Sequence, residues 1–357
     1  MKKLLGNVWF NMLFIVSLTV LALIFALYDS YKSVWTTISH LDLYKIVLII
    51  GLGFLPYLCW GLILMVLGRT VNKKFSLKHG LNNAYVGGFM SGITPSSTGG
   101  QLAQVMSYKA HGMKASQGAG LVSMDFYLYQ IAFVITAVVM YITYLSTYEH
   151  MAISLVFGLG LFVNSFVVIV LWIMVEFPKL YHHMSFWAIH LLHKMRFIKN
   201  KEKILEDWNK TLEHFNEAIE NVNENKIVFW KVMGLNVLKN IFYYSSPFFI
   251  AWILGVEISY GDFFPMLALG CFISTSNTFV PLPGASGATE GLFVLVYSTI
   301  LGKGGAASTM ILWRFSNFYI PVLLGGYLFI RLRKINPFKP MQTADLLGDN
   351  EKQDDPT

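Results

Sequence analysis

Three ionisable residues, Asp125, Glu290 and Arg314, lie in stretches otherwise apolar enough to enter a bilayer. Charge at membrane depth is costly, so such residues pair with one another or line a polar path. Glu290 and Arg314 are of opposite sign and could relieve each other. Their pairing would either bind two helices together or hold a planar guanidinium ready for a phosphate. Asp125 could pair with Lys109 or Lys114, or meet a cationic headgroup. Two runs of small polar residues supply further groups. The first is Thr94-Pro-Ser-Ser-Thr-Gly-Gly-Gln101, with Gln104 beyond it. The second is Val280-Pro-Leu-Pro-Gly-Ala-Ser-Gly-Ala-Thr-Glu290. The hydroxyls and amides of Thr94, Ser96, Ser97, Thr98, Gln101, Gln104, Ser286 and Thr289 suit a polar headgroup. Helices restarting after Gly100 and Gly287 would aim free N–H groups at an anion.

Neither run can continue a helix. Pro95, Pro281 and Pro283 each remove a backbone donor and clash with the preceding turn. Gly99, Gly100, Gly284 and Gly287 admit backbone conformations that other residues resist. Broken backbone at membrane depth persists only where protein or a water-filled cavity covers it. The expectation is two broken helices lining a polar site. Four histidines (His182, His183, His190 and His193) have no carboxylate or cysteine at ligand spacing, so no metal is expected. No nucleotide-binding or hydrolase motif occurs, and no cofactor is expected.

The elements that position these residues are membrane helices. The chain has 357 residues, of which 55% are hydrophobic and 13% charged, about half the charge of a soluble domain. Its mean hydropathy is +0.54. The fold class is therefore an all-α polytopic membrane protein. Full spans are expected at about Val8–Leu27, Leu43–Leu67, Ala115–Leu145, Met151–Val175, Ile227–Leu254 and Ser308–Ile330, about six in all. Lys2-Lys3 precedes an apolar run with no small-residue cleavage site, which reads as a retained first span. The two interrupted regions, Ala84–Met106 and Asp262–Ile300, are too short in each limb to cross alone. The single membrane domain covers residues 1–335. Within it, 176–226 is a basic and amphipathic cytoplasmic insertion. Its stripe of Ile204, Trp208, Leu212, Phe215, Ile219 and Val222 has helical spacing. The polar, acidic stretch 336–357 reads as a disordered cytoplasmic tail. Cys59 and Cys271 suit neither a disulfide nor zinc.

Charge sets the orientation. With both termini inside, Lys2-Lys3, Arg69–Lys78, Lys109–Lys114, Lys179–Lys203 and Arg331–Lys334 all face the cytoplasm. The net charge of +7 then reflects these loops and their contact with anionic lipid, not nucleic acid. In that arrangement the two interrupted regions enter from opposite sides. They also share Pro-x-x-[Ser/Thr]-Gly, as Pro95 to Gly99 and Pro283 to Gly287. Two such breaks entering from opposite faces are the mark of an inverted repeat whose broken helices meet near the midplane.

With Trp313-Arg314, Pro321 and Gly325, the two runs resemble the lysylphosphatidylglycerol synthase transmembrane, or flippase-like, family. The resemblance covers about residues 5–335. Many relatives carry Glu and Arg after the first glycines, where this chain has Gln101 and Gln104. The resemblance implies a bacterial plasma-membrane protein that moves phospholipid or aminoacylated phosphatidylglycerol between leaflets. It places the headgroup at Glu290, Arg314, Asp125 and the two breaks. Full-length lysyl-lipid synthases add a soluble acyltransferase domain fed by aminoacyl-tRNA. Only a short acidic tail follows Arg333 here, so translocation without lysyl transfer is expected. The alternatives are a phosphatidylglycerol lysyltransferase and a non-catalytic partner of a separate lipid-modifying enzyme. Expected partners are the phospholipid itself, anionic lipid at the cytoplasmic face, and a second copy or a lipid synthase.

Overall fold

The computed structural model describes residues 39, 41–147, 151–177 and 224–335, with isolated positions between 179 and 222. The expected first span, most of the cytoplasmic insertion and the tail lie outside the described residues. Among the described residues there are nine helices and no strand. We number them α1 Leu43–Val71, α2 Leu77–Ile93, α3 Thr98–Ala110, α4 Ala115–Thr147 and α5 Met151–Glu176. After the insertion come α6 Lys226–Ile253, α7 Phe263–Ser276, α8 Ala288–Arg314 and α9 Ile320–Ile335.

α1, α4, α5 and the run Pro283–Leu332 contain windows apolar and long enough to cross a membrane. The limbs of the interrupted regions are shorter: α2 has 17 residues, α3 13 and α7 14. At about 1.5 Å per residue they reach only about 20–25 Å, short of a hydrocarbon core of about 30 Å. They fold back instead. In hairpin 1, Cβ atoms added to Gly87 and Gly100 would strike Gln104 and Ser91, so α2 and α3 lie antiparallel and in close contact. In hairpin 2, Tyr297 Oη donates to the Met266 carbonyl at 2.7 Å, and Thr289 Oγ1 donates to Asn277 Oδ1 at 3.2 Å. The limbs of hairpin 2 are therefore α7 and the first half of α8. Gly302, with φ 66° and ψ 166°, then breaks α8. Its second half runs back along the first, through a π-helical turn at Phe315–Tyr319, into α9.

The chain thus contains two similar units: α1, hairpin 1 and α4, then α6, hairpin 2 and the α8–α9 crossing. The lead helices α1 and α6 each hold an internal proline, Pro56 and Pro247. The breaks repeat one backbone conformation. Pro95 opens a short turn in which Ser96 and Ser97 have φ of 51° and 57°. Pro283 opens another in which Gly284 and Ala285 have φ of 58° and 48°. A sequence match of a few residues is thereby joined by a match in left-handed backbone that side chains ordinarily avoid.

Each hairpin has its own core. One cluster joins Leu64, Leu67, Phe75, Tyr108, Leu121 and Leu128 around hairpin 1. Ile219 and Val222, from the predicted amphipathic stripe, are buried in that same cluster. The other joins Phe157, Phe248, Met266, Phe272, Phe293 and Tyr297 around hairpin 2. Small residues bring backbones together between elements: a Cβ on Gly325 would strike the Tyr85 carbonyl, and one on Gly53 the Ser316 carbonyl.

The foot of hairpin 1, where α2 begins and α3 ends, is tied by histidines. His79 Nδ1 accepts the Ser76 N–H at 3.3 Å, and the His79 and His111 rings lie 4.3 Å apart, tilted by 40°. Burial, then His111 and Lys78, hold the His79 imidazole below its ordinary value. The neutral ring is the one the fold favours, since a protonated Nδ1 cannot accept. Stability is therefore complete above about pH 6.5 and falls as the pH drops through and below that value. Thermal unfolding in detergent is expected to show this slope, and His79→Gln, which keeps an acceptor without titrating, to flatten it.

Candidate functional site

The two breaks meet. Pro95–Ser97 and Pro283–Ala285 are in direct contact within the bundle. A Cβ on Gly284 would run into the Phe318 ring and sit 3.2 Å from the Gly92 carbonyl oxygen. Phe318, from the π-helical turn, also lies against Gly92. The π turn thus places one aromatic ring between the ends of both hairpins. Single π turns are frequent at functional sites.

Glu290 and Arg314 form a buried ion pair behind the second break. Arg314 Nε donates to Glu290 Oε1 at 2.8 Å, with the side chains 6% and 1% exposed. The reversal at Gly302 makes this contact, because along one straight helix the two residues would be far apart. Each partner has a second role. Glu290 Oε2 accepts the Gly287 N–H at 2.7 Å and so caps the start of α8. Arg314 Nη2 donates to the Gly284 carbonyl at 3.1 Å, and its guanidinium lies 4.4 Å from the centre of the Phe318 ring. The pair therefore holds the second break and presents a cation beside the meeting point of both.

The first break is closed by a neutral group. Thr94 Oγ1 donates to the Met90 carbonyl at 2.6 Å and accepts the Gly99 N–H at 2.9 Å. One hydroxyl thus links the end of α2 to the start of α3. Here the structure corrects one expectation: α3 begins at Thr98 rather than after Gly100. The N–H groups of Gly99 and of Gly287, the residue before α8, are taken by Thr94 and Glu290. Gly99 and Gly100 serve close packing: their added Cβ atoms would strike Thr94 and Ser91.

The remaining predicted residues fall in two places. Ser97, Thr98 and Gln101 are exposed at the tip of hairpin 1, where Thr98 Oγ1 donates to the Pro95 carbonyl at 3.1 Å. Ser286 is fully buried, with an Oγ that has no partner among the described residues. Thr289 caps the second break through Ala285 and Asn277. Gln104 and Asp125 lie elsewhere, near Trp60. A Cβ on Gly87 would be 2.8 Å from Gln104 Cγ and 3.4 Å from the Trp60 ring. Asp125 Oδ2 accepts the Trp60 Nε1–H at 3.0 Å.

Asp125 also lies near a different cation from those expected. Its neighbouring cation is Lys239 on α6, not Lys109 or Lys114. The fold decides this, because α6 packs against both α1 and α4, whereas Lys109 lies in the last turn of α3 and Lys114 just before α4. Lys239 Nζ rests 4.3 Å from the Tyr129 ring centre and 5.6 Å from that of Trp60. Sequence reasoning passed over Lys239, although the rule that singled out Asp125, a charge inside an apolar span, applies to it equally. Phe318 carried no such signal, since an aromatic in an apolar helix is unremarkable until its neighbours are known.

The family model described as lysylphosphatidylglycerol synthase TM region matches residues 12–325. Among curated proteins, none matches this chain. The match and the apolar helices make this a multi-pass membrane protein, and the family's description ties it to membrane lipid chemistry. By a match that takes in both hairpins, both buried charge clusters and every long helix described, the chain belongs to the lysylphosphatidylglycerol synthase transmembrane-region family.

Proposed function

We propose that this protein is a lipid translocase of the bacterial plasma membrane, with both termini cytoplasmic. It carries a phospholipid or aminoacylated phosphatidylglycerol headgroup between leaflets. The observation that carries this reading is the contact between two similarly folded breaks, each at the tip of its own hairpin. A headgroup reaching that point from either side meets the same set of groups: hydroxyls at Ser97 and Thr98, left-handed backbone at both tips, and the Arg314 guanidinium beside Phe318. A path between leaflets needs polar groups where the bilayer offers none, and an inverted repeat supplies them symmetrically. Arg314 takes the phosphate, Glu290 orients the guanidinium, and the hydroxyls hold the rest of the headgroup.

The test uses vesicles of phosphatidylethanolamine and phosphatidylglycerol with a trace of headgroup-fluorescent phosphatidylglycerol. Purified protein is expected to make the inner-leaflet probe accessible to an external quencher. Arg314→Lys keeps the charge but loses the planar fork, and is expected to slow the exchange by about tenfold or more. Probe accessibility equal to that of protein-free vesicles would end the translocase reading. Lysyl-lipid formed from charged tRNA by this chain alone would make it a transferase instead.

A further inference from the structure

We propose that Asp125, with Lys239, forms a proton-exchange site in the interior of the bundle. On the translocase reading, this site couples headgroup passage to the proton gradient.

Asp125 is buried with an incomplete set of partners. It is 5% exposed. Its Oδ2 is satisfied by Trp60, but its Oδ1 has no hydrogen-bonding partner among the described residues. A buried carboxylate oxygen left unpaired is expensive, and two things remove the cost: a proton or a cation. A cation stands close by. Lys239 shares Trp60 with Asp125, its Nζ 5.6 Å from the centre of the ring whose Nε1 bonds the carboxylate, yet no ion pair joins the two among the described residues. Its ammonium rests on the faces of Tyr129 and Trp60 instead. A buried carboxylate and a half-buried ammonium without contact form an arrangement that one added proton can tip.

The groups facing the pair are few. From α3 comes Tyr108, whose hydroxyl already donates to the Leu64 carbonyl at 3.1 Å. From α1 come Trp60 and Cys59, the latter facing Lys239. From α6 comes Lys239 itself, and from Asp125's own helix comes Tyr129. No second carboxylate is among them. Gln104 of hairpin 1, whose Nε2 also has no partner among the described residues, lies beside Gly87 near Trp60.

The proton balance is simple. With Asp125 ionised and Lys239 charged, the site is neutral. When Oδ1 takes up one proton, an O–H bond forms, the carboxylate charge disappears and the site carries the single positive charge of Lys239. That added positive charge favours an anion nearby, the lipid phosphate held by Arg314. When the phosphate leaves, the proton returns to water and neutrality is restored. Proton and anionic headgroup therefore bind with mutual preference, and a gradient of one drives the other. The two sites are also linked in space. Tyr243 lies one turn beyond Lys239 on α6, its ring 5.6 Å from that of Trp313, the residue before Arg314. Tyr243 feels the charges of both Arg314 and Glu290.

The experiment has two arms. In detergent, infrared difference spectra of the purified protein are recorded as the pH falls from about 9 to about 5. A protonated-carboxyl C=O band is expected to appear in the wild type and to be missing in Asp125→Asn. The asparagine is isosteric, and its amide oxygen still accepts from Trp60. Absence of any band that Asp125→Asn removes would overturn the proposal. In the vesicles described above, a gradient of about one pH unit, worth about tenfold in proton activity, is imposed or collapsed. Wild-type transfer is expected to change several-fold, and that of Asp125→Asn not to change. Wild-type transfer indifferent to the gradient would overturn the coupling even if the band titrates. Failure of the wild type to move lipid, with the band intact, would remove the translocase reading and leave the proton site standing.

Discussion

Arg314→Ala is expected to lower stability by about 3–5 kcal/mol and to abolish headgroup transfer. The cost arises because the substitution leaves Glu290, 0% exposed, as an uncompensated charge. Its Oε2 would keep the Gly287 N–H, but Oε1 would lose its guanidinium partner. The Gly284 carbonyl would lose its donor at the same time. Thermal unfolding in detergent measures the first effect and the vesicle assay the second. Loss of transfer by a destabilised variant does not separate binding from folding, so the decisive variant is the double substitution Glu290→Gln with Arg314→Met. Removing both charges together avoids the buried, unpaired carboxylate, and the new amide oxygen can still accept from Gly287. Most of the lost stability should return while transfer stays absent. Transfer restored in the double variant would show that the ion pair only holds the second break closed, and Arg314 would lose its place in headgroup binding.

Gly284→Val is the second large effect, and it acts on the meeting of the breaks. Gly284 has φ 58°, where a side chain costs about 1–2 kcal/mol. Its added Cβ would also be driven into the Phe318 ring. Overpacking of that kind costs about 1–3 kcal/mol, so about 3 kcal/mol in all is expected. Phe318 cannot retreat freely, since it is held between Gly92 and Arg314. The neighbouring Ala285→Gly provides the contrast. Ala285 already sits at φ 48° with a side chain, so glycine relieves local strain and costs chain entropy, for a net change within about 1 kcal/mol. Unfolding temperatures that rank the two substitutions in the opposite order would refute the described contact of Phe318 with the second break.

The helices themselves were legible residue by residue. α4, α5 and α6 begin and end within one or two residues of the limits that composition indicates. This is because an apolar stretch is costly in water and cheap in lipid wherever it sits in the chain. The breaks were legible for a similar reason: proline and glycine act on their own backbone. The Glu290–Arg314 pair was legible as chemistry, since two buried charges of opposite sign need each other, but not as geometry. Nothing local announces that Gly302 reverses α8 and returns Arg314 to Glu290. The cation near Asp125 was missed outright, because Lys109 and Lys114 are near in sequence while Lys239 is near in space.

The sequence by itself thus determined that this chain is an all-α membrane protein with two proline-glycine breaks and a few charges that water does not reach. Those properties follow from the cost of placing each residue, or its immediate backbone, in an apolar medium. Only the tertiary structure decided that the breaks touch, that Arg314 returns to Glu290, and that Asp125 lies near Lys239. Those are properties of pairs. They depend on how two antiparallel hairpins dock against α1, α4 and α6, and no single residue's preference contains that information.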